Sequence, residues 1–196
     1  MTTLADRALT ILHEWVRSES LRKHCYAVAD SMKHFAPLSG AADDVDLWEA
    51  VGLLHDMDYE RHPNLEHSPS EGHPFVGVAW LREQGWSEEI CHAILSHADY
   101  TNVSRETPLE KTLFAVDELS SFVIAVALVR PTKSIHDVDV AAVKKKMKDK
   151  AFARAVNRDD ILRGAAELGM PFDDVIAEVI NALKSDADRL GLVGTA

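Results

Sequence analysis

Apolar residues recur at helical spacing, three or four positions apart, along almost the whole chain. In the first segment Leu4, Ala8, Ile11, Leu12 and Trp15 fall on one face of a helix. No stretch of five or more residues alternates between apolar and polar in the way that a half-buried strand requires. The sequence therefore predicts an all-α fold.

Capping signals mark where the predicted helices begin. Ser20 is expected to cap the second helix, and Asp46 followed by Glu49 has the capping-box spacing of a third helix over 47–57. A long sixth helix is predicted to begin at Thr107-Pro108 and to end before Pro131. The other predicted helices run from about His73 to Gln84, from Ser87 to about His97, through a lysine-rich segment, from Asn157, and from Pro171 to Leu190.

Charge and cysteine content limit the partners and the compartment. A formal net charge of −11 argues against an obligate nucleic-acid polymer, because it leaves the phosphates without neutralisation. Residues 1–12 lack the features of a signal peptide, and the most apolar run, 121–129, is far shorter than the ~20 residues that span a bilayer. Cys25 and Cys91 are too few for a disulfide framework. We expect a cytoplasmic protein without a membrane partner.

A histidine and an aspartate follow the apolar run 50–54. His55 shares a helix face with Trp48 and Val51, so its imidazole is expected to point into the core, and Asp56 is adjacent to it. A carboxylate at such a position is costly unless a metal or another cation compensates its charge. The pair is therefore a candidate metal site.

Four more ionisable residues lie at core positions of other predicted helices. His97 continues the apolar stripe of the fifth helix, Asp117 ends an apolar run on the sixth, His24 begins the stripe of the second, and His73 opens the fourth. Taken singly, such residues are about as often hydrogen-bonded structural groups as ligands. Together, the six groups need shared compensation. Four imidazoles with two carboxylates suit iron, manganese or zinc.

The order of these residues resembles the signature of the HD superfamily of helical, metal-dependent phosphohydrolases. That signature has a histidine, a His-Asp pair and a distal aspartate, and an extended form adds two histidines in between. The extended form occurs in HD-GYP-type phosphodiesterases and in HD-fold di-iron oxygenases. The matching residues, within about 21–131, are His24, His55, Asp56, His73, His97 and Asp117.

Two segments depart from the HD-GYP pattern. HD-GYP proteins carry Gly-Tyr-Pro after the histidine that matches His97, whereas this chain reads Ala98-Asp99-Tyr100-Thr101-Asn102. They also favour Gly-Lys after the His-Asp pair, where this chain has Met57-Asp58-Tyr59. These departures argue against cyclic di-guanylate as the substrate.

The resemblance implies an all-α HD helical bundle and a metal-dependent activity. The length of the chain fits one domain over residues 1–196, with a motif-bearing core at about 21–131 and C-terminal helices at about 137–190. The implied cofactor is a divalent metal, expected as two ions, with iron or manganese favoured and zinc, nickel, cobalt or magnesium as alternatives. The implied reaction is hydrolysis of a phosphate ester of a small nucleotide or related metabolite by metal-activated water.

Asp56 is the expected bridging ligand between two ions and a catalytic residue. A carboxylate has two oxygens, whereas an imidazole offers one usable lone pair. His24, His55 and Asp117 would complete one metal site, and His73 with His97 would complete the other.

The irregular segment 58–72 follows the His-Asp pair directly and is long enough to be a functional lid. The leaving alcohol needs a proton donor or a metal contact. Asp58, His62 and His67 of this segment are the candidates, and Asp58 is the one that we assign a catalytic role.

Basic residues are candidates for binding a substrate phosphate. Arg130 and Lys133 follow the helix that bears Asp117, where they could bind phosphate or only neutralise the negative helix end. A lysine cluster at 144–150 is expected to be a solvated helix face, with guidance of an anionic substrate as its alternative role.

Two other functions remain compatible with the ligand set. A di-iron oxygenase would use the same six ligands and would consume dioxygen. A nucleotide-binding signalling module would not need the complete set. A homodimer is compatible with every one of these functions.

Overall fold

The computed structural model describes residues 2–194, and helices make up most of them. No strand is present among these residues, where Ser134 and Val193 form an isolated bridge. Short 3-10 helices cover Asp99–Thr101 and Ile135–Asp137. The all-α prediction is confirmed. The α-helices are α1 (Leu4–Trp15), α2 (Glu19–Leu38), α3 (Val45–Leu54), α4 (Phe75–Glu83), α5 (Glu88–Ser96), α6 (Pro108–Leu128), α7 (Val140–Met147), α8 (Arg158–Leu168), α9 (Phe172–Ser185) and α10 (Ala187–Leu190).

The predicted start of α6 is confirmed in detail. The Thr107 hydroxyl accepts a hydrogen bond from the Glu110 backbone N–H at 3.3 Å, and the Glu110 carboxylate accepts one from the Thr107 N–H at 2.8 Å. Ser87 caps α5 and Asn157 caps α8, as the sequence predicts. Local capping rules therefore locate these three starts correctly.

Two predicted caps are wrong. Ser18 rather than Ser20 caps α2, so that helix begins at Glu19. Asp46 does not cap α3, because its carboxylate reaches another helix and accepts from the backbone N–H groups of Leu4 and Ala5 at 2.7 and 3.1 Å. A tertiary contact thus satisfies free N–H groups at the start of α1.

The bounds of three predicted helices also change. The third helix, predicted over 47–57, is Val45–Leu54. The fourth helix begins at Phe75, so His73 lies before it rather than inside it. The last predicted helix is broken at Asp186, whose backbone departs from helical geometry, and it forms α9 and α10. Gly191 closes α10 in the left-handed conformation, φ 71°.

Helix α2 lies at the centre of the fold and packs against α3, α6 and α9. Helix α1 packs on α3, and α8 packs on α6. Phe35, Met32 and Leu54 are fully buried between these elements, and each contributes about 2 kcal/mol by leaving water. Within the described part of the chain, no helix combines the length and apolarity needed to cross a membrane.

Glycines allow close approach at two helix contacts. A Cβ on Gly52 of α3 would lie 2.5 Å from the Cα of Ala29 on α2. A Cβ on Gly164 of α8 would lie 2.6 Å from the Cα of Ala115 on α6. Because neither contact has room for a methyl group, both helix pairs are closer than larger residues would permit. These contacts lie beside the residues of the site described next.

Candidate metal centre

The six predicted ligands come from five different parts of the fold and converge. His24 lies on α2 and Asp117 on α6. His55 and His97 are the C-terminal caps of α3 and α5, where the backbone is still helical. Asp56 follows His55, and His73 precedes α4.

These side chains form two groups of three possible metal ligands, and within each group the ligand atoms lie within 4.8 Å of one another. In the first group the Nε2 atoms of His24 and His55 are 3.0 Å apart, and Asp117 Oδ1 lies 3.1 and 3.5 Å from them. The second group contains Asp56, His73 and His97.

Asp56 lies between the two groups and directs one oxygen to each. Its Oδ2 is 3.4 Å from the Nε2 of His24, in the first group. Its Oδ1 is 3.3 Å from the Nε2 of His73 and 3.7 Å from that of His97, in the second group. The two histidine Nε2 atoms of the second group are 3.2 Å apart. This carboxylate therefore contacts both groups at once.

Each of the four histidines of the centre has a hydrogen-bond partner for its Nδ1 atom, which points away from the centre. Carbonyl oxygens accept from Nδ1 of two of them, and because a carbonyl cannot donate, these Nδ1 atoms carry the proton. In these two histidines, Nε2 then has a free lone pair that faces the centre. The partners of Nδ1 are Ser121 Oγ for His24, Gly52 O for His55, Asp58 Oδ1 for His73 and Ile94 O for His97.

Converging lone pairs and carboxylates repel one another unless a cation lies between them. His55 is fully buried and His73 is 3% exposed, so water stabilises these charges less than it would at the surface. Imidazole nitrogens with carboxylate oxygens are a common donor set for divalent transition metals, and outer-nitrogen hydrogen bonds of this kind orient metal ligands in proteins. The histidine and aspartate groups are therefore positioned for a metal.

Without a metal, the histidines and carboxylates of the centre shift one another's pKa values. Burial lowers the pKa of His24, but hydrogen bonds to the Asp117 and Asp56 carboxylates outweigh it and raise the pKa to about 10. Burial, together with the charge of nearby His73, lowers the pKa of His97 to about 4. Burial opposes ionisation of Asp56 and Asp117, yet the histidines beside them hold both pKa values below their usual range.

Asp58 does not have the position of a proton donor to substrate. The carboxylate is 1% exposed and accepts from His73 Nδ1 at 2.7 Å and from the Gly77 backbone N–H at 2.6 Å. It is not among the residues that line the cavity above the ligands. The catalytic role predicted for Asp58 is therefore corrected to that of a positioning residue for His73.

Arg130 and Lys133 lie away from the site, contrary to the predicted phosphate contact. Arg130 follows Asp117 by 13 residues, or about 20 Å at the helical rise, and it donates to the carbonyl of Asp137. Lys133 is exposed. Neither residue lines the cavity. Their contacts fit a role at the C-terminal end of α6 instead.

A cavity of about 810 Å³ opens above the ligands. His24, Asp56, His73, His97 and Asp117 line its floor. The segment predicted as a lid contributes its side chains to one wall, and helices α6 and α8 form another. The wall residues are Tyr59, Asn64, Leu65, His67, Tyr100, Phe114, Glu118, Ser121, Asn157, Asp160 and Arg163, with Ala98, Asp99, Ala155 and Val156.

The segment 58–72 is tied to the centre through Tyr100. The His67 ring stacks on Tyr100 with centroids 4.8 Å apart and 7° between the planes. The Tyr100 hydroxyl donates to the carbonyl of His73 at 3.0 Å. Of the two histidine candidates for proton donation, His67 lines the cavity, whereas His62 does not and lies near Trp15.

The sequence did not indicate several residues of the cavity. Ser121 could have been found, because it follows Asp117 by four residues and so shares its helix face. Asp160 and Arg163 carry no such signal, since α8 reaches the cavity only by packing on α6 at Gly164. Glu118 also lines the cavity, where burial and the adjacent Asp117 raise its pKa to about 7.

A helical fold in which histidines and aspartates from separate helices face one another defines a class of helical metal-binding proteins. Residues 21–121 match the HD domain family, and the chain belongs to this family. The HD domain indicates a superfamily of metal-dependent hydrolases. The matched segment includes every residue of both ligand groups.

One similar protein is an uncharacterized protein of Methanocaldococcus jannaschii. It is 31% identical over 117 residues, which are 58% of this chain and 64% of that relative. The alignment thus covers less than two thirds of the relative's length. No solved structure matches this chain.

Proposed function

We propose that the protein is a phosphohydrolase that uses two divalent metal ions to cleave a phosphate ester of a small nucleotide or related metabolite. The contact of Asp56 with both ligand groups carries this proposal, because a carboxylate with one oxygen toward each group can hold two ions side by side. Iron or manganese suits the mixture of imidazole and carboxylate ligands best, with zinc, nickel, cobalt or magnesium as alternatives.

Two bound ions would lower the pKa of water and offset negative charge on phosphate oxygens. The chain's own residues supply position and shape. His24, His55 and Asp117 would hold one ion, while His73 and His97 would hold the other and Asp56 would contact both. The phosphate of a substrate would lie at this end of the cavity, and its leaving group would extend toward α8.

The volume and the charge of the protein favour a small substrate. A cavity of about 810 Å³ accommodates a molecule of nucleotide size but not a folded polymer. The net charge of −11 opposes the approach of a long polyanion. We therefore propose a small phosphorylated substrate rather than RNA or DNA.

The test begins with metal analysis of the purified protein, followed by phosphate release from phosphomonoesters, cyclic nucleotides and dinucleotides. We expect about two ions per chain and turnover of at least one small ester. Asp56→Ala should abolish turnover and reduce metal content. Asp173→Ala is a matched control, because Asp173 pairs with Lys144 at 2.6 Å outside the cavity.

Oxygen uptake separates hydrolysis from the oxygenase alternative that shares the same ligands. An iron-loaded sample that consumes dioxygen, and releases no phosphate from any ester of the panel, would overturn the hydrolase proposal. Nucleotide binding without turnover by the fully metal-loaded protein would instead support the signalling module.

A further inference from the structure

The wall of the cavity contributed by α6, α8 and the start of the 3-10 helix Asp99–Thr101 has an unusual charge balance. We call it the α8 wall and define it as Asp99, Phe114, Glu118, Asp160 and Arg163, which all line the cavity. Within residues 2–194, Arg163 is the only arginine or lysine among the lining residues. A second anionic group on a substrate could find a fixed positive charge only there.

Carboxylates of the same wall already neutralise the positive charge of Arg163. Its Nη2 atom donates to the Asp99 carboxylate and to Asp160 Oδ1, the latter at 2.5 Å. Its guanidinium carbon also lies 4.8 Å from the centroid of the Phe114 ring. Arg163 is therefore held in place by two carboxylates and an aromatic face, and no net positive charge remains for a phosphate.

The neighbouring arginine does not change this balance. Arg105 contacts Asp99 at 3.0 Å, but Glu167 accepts from it at 2.7 Å and matches its charge. Even with Glu118 protonated, the carboxylates of Asp99 and Asp160 outnumber the guanidinium of Arg163. The α8 wall is negative overall, while the floor would be positive once metals are bound.

We propose that the α8 wall selects the leaving group of the substrate, and that the substrate is a phosphomonoester whose alcohol portion is neutral or cationic and carries N–H or O–H donors. This inference rests on the proposed hydrolase function. A diphosphate, a dinucleotide or an ester with a carboxylate would bring a second anion against Asp99 and Asp160, which repel it.

The reaction that follows is an ordinary ester hydrolysis. The oxygen of water forms a bond to phosphorus, and the bond between phosphorus and the ester oxygen breaks. One proton of the water ends on the released alcohol, and the hydroxyl that remains of the water stays bound to phosphorus in inorganic phosphate. No oxidant or reductant is required.

The test compares three esters of the same length that differ only in their terminal group: 2-aminoethyl phosphate, 2-hydroxyethyl phosphate and phosphoglycolate. We expect kcat/KM to fall in that order, by about tenfold between the amine and the carboxylate, because their terminal groups differ by two unit charges at a partly screened distance from the wall. The ratio of the amine to the carboxylate value reports charge selection and is insensitive to the fraction of active enzyme.

Two variants should move this ratio in opposite directions. Asp160→Asn removes a negative charge from the α8 wall and should reduce the ratio about threefold or more. Arg163→Gln removes the positive charge and should increase it. A merely structural role would lower turnover of all three esters together and leave the ratio unchanged. Asp173→Asn is the control outside the cavity and should not change the ratio.

The outcomes separate this inference from the proposed function. Phosphate release with equal or higher kcat/KM for phosphoglycolate, or with a ratio that neither variant alters, would overturn the α8 wall as a selector while the hydrolase stands. No phosphate release by the metal-loaded enzyme from these three esters or from the phosphomonoesters, cyclic nucleotides and dinucleotides would overturn the hydrolase function itself.

Discussion

The two ligand groups of the metal centre are built in different ways. His24, His55 and Asp117 come from α2, the end of α3 and α6, which pack directly against one another in the core. His73 and His97 come from the residue before α4 and the end of α5. The first group is thus part of the central helix packing, whereas the second lies beside the irregular segment 58–72.

This difference predicts unequal metal affinity. The close contact of Gly52 with Ala29 fixes the separation of the helices that carry His55 and His24. In the second group, His73 depends on hydrogen bonds from its ring to Asp58 and from Tyr100 to its carbonyl. We therefore expect the second group to bind its ion more weakly and to lose it first when a chelator is added. Removal of the bound metal by the chelator should also lower the thermal stability of the protein.

The largest expected effect comes from the residue that the two groups share. Asp56→Ala should reduce the metal content and lower kcat/KM by about a thousandfold or more, because both groups lose a ligand. Metal analysis and phosphate release measure the two effects together. Full metal occupancy in this variant, beside normal occupancy in Asp173→Ala, would contradict the bridging assignment.

Single histidine variants should separate the groups. His73→Ala or His97→Ala should remove about one ion per chain and leave the first group occupied, whereas His55→Ala should empty the first group. Metal content at increasing chelator concentration measures the difference, with His136→Ala as a histidine control on the exposed surface. A wild type with one ion, retained with normal turnover in both His73→Ala and His97→Ala, would show that the centre is mononuclear.

A smaller effect is expected from the partner of His73. Asp58→Asn keeps the shape of the side chain but removes the charge that faces the imidazole, so affinity for the second ion should fall about 10- to 100-fold. Affinity at the first group should stay unchanged. Titration of the metal-free protein resolves the two affinities, and equal weakening at both groups would mean that Asp58 acts on the fold rather than on His73.

The smallest expected effect is a pH dependence of the melting temperature of the protein after a chelator has removed its metal. The folded-state pKa of His24 is raised to about 10, above its unfolded value, so its contribution to stability is complete below about pH 6.5 and is lost as pH rises through 10. The melting temperature of the chelated wild type should fall between pH 7 and 10. Metal-free His24→Gln should lack the part of this decrease that comes from His24. Melting temperatures that fall equally with pH in the two metal-free proteins would contradict this prediction.

The sequence predicted the helices and the ligands better than it predicted their surroundings. Local signals such as the capping box at Thr107 and the apolar stripe that leads to His97 depend on neighbours in the chain, so they could be read without a structure. The six predicted ligands converge because each lies at a core position. Their identity as metal ligands stays a prediction until metal is measured.

Long-range contacts account for the predictions that were wrong. Asp46 has capping-box spacing within its own helix but binds the start of α1 instead. Arg130 carries the charge that a phosphate needs, yet its place beyond the C-terminal end of α6 removes it from the cavity. Arg163 reaches the cavity through packing between α8 and α6, and no spacing rule connects positions so far apart in the chain.

The contact between Gly52 and Ala29 separates the requirements of folding from those of chemistry. A Cβ at position 52 would meet the Ala29 Cα at 2.5 Å, so α3 would have to move outward by roughly 1 Å to reach an ordinary contact distance. A hydrophobic core can absorb such a shift at a cost of about 1 to 3 kcal/mol. Bonds from ligand to metal tolerate only about 0.2 Å. One added carbon atom at this position should therefore leave a folded helical protein that no longer holds its first ion.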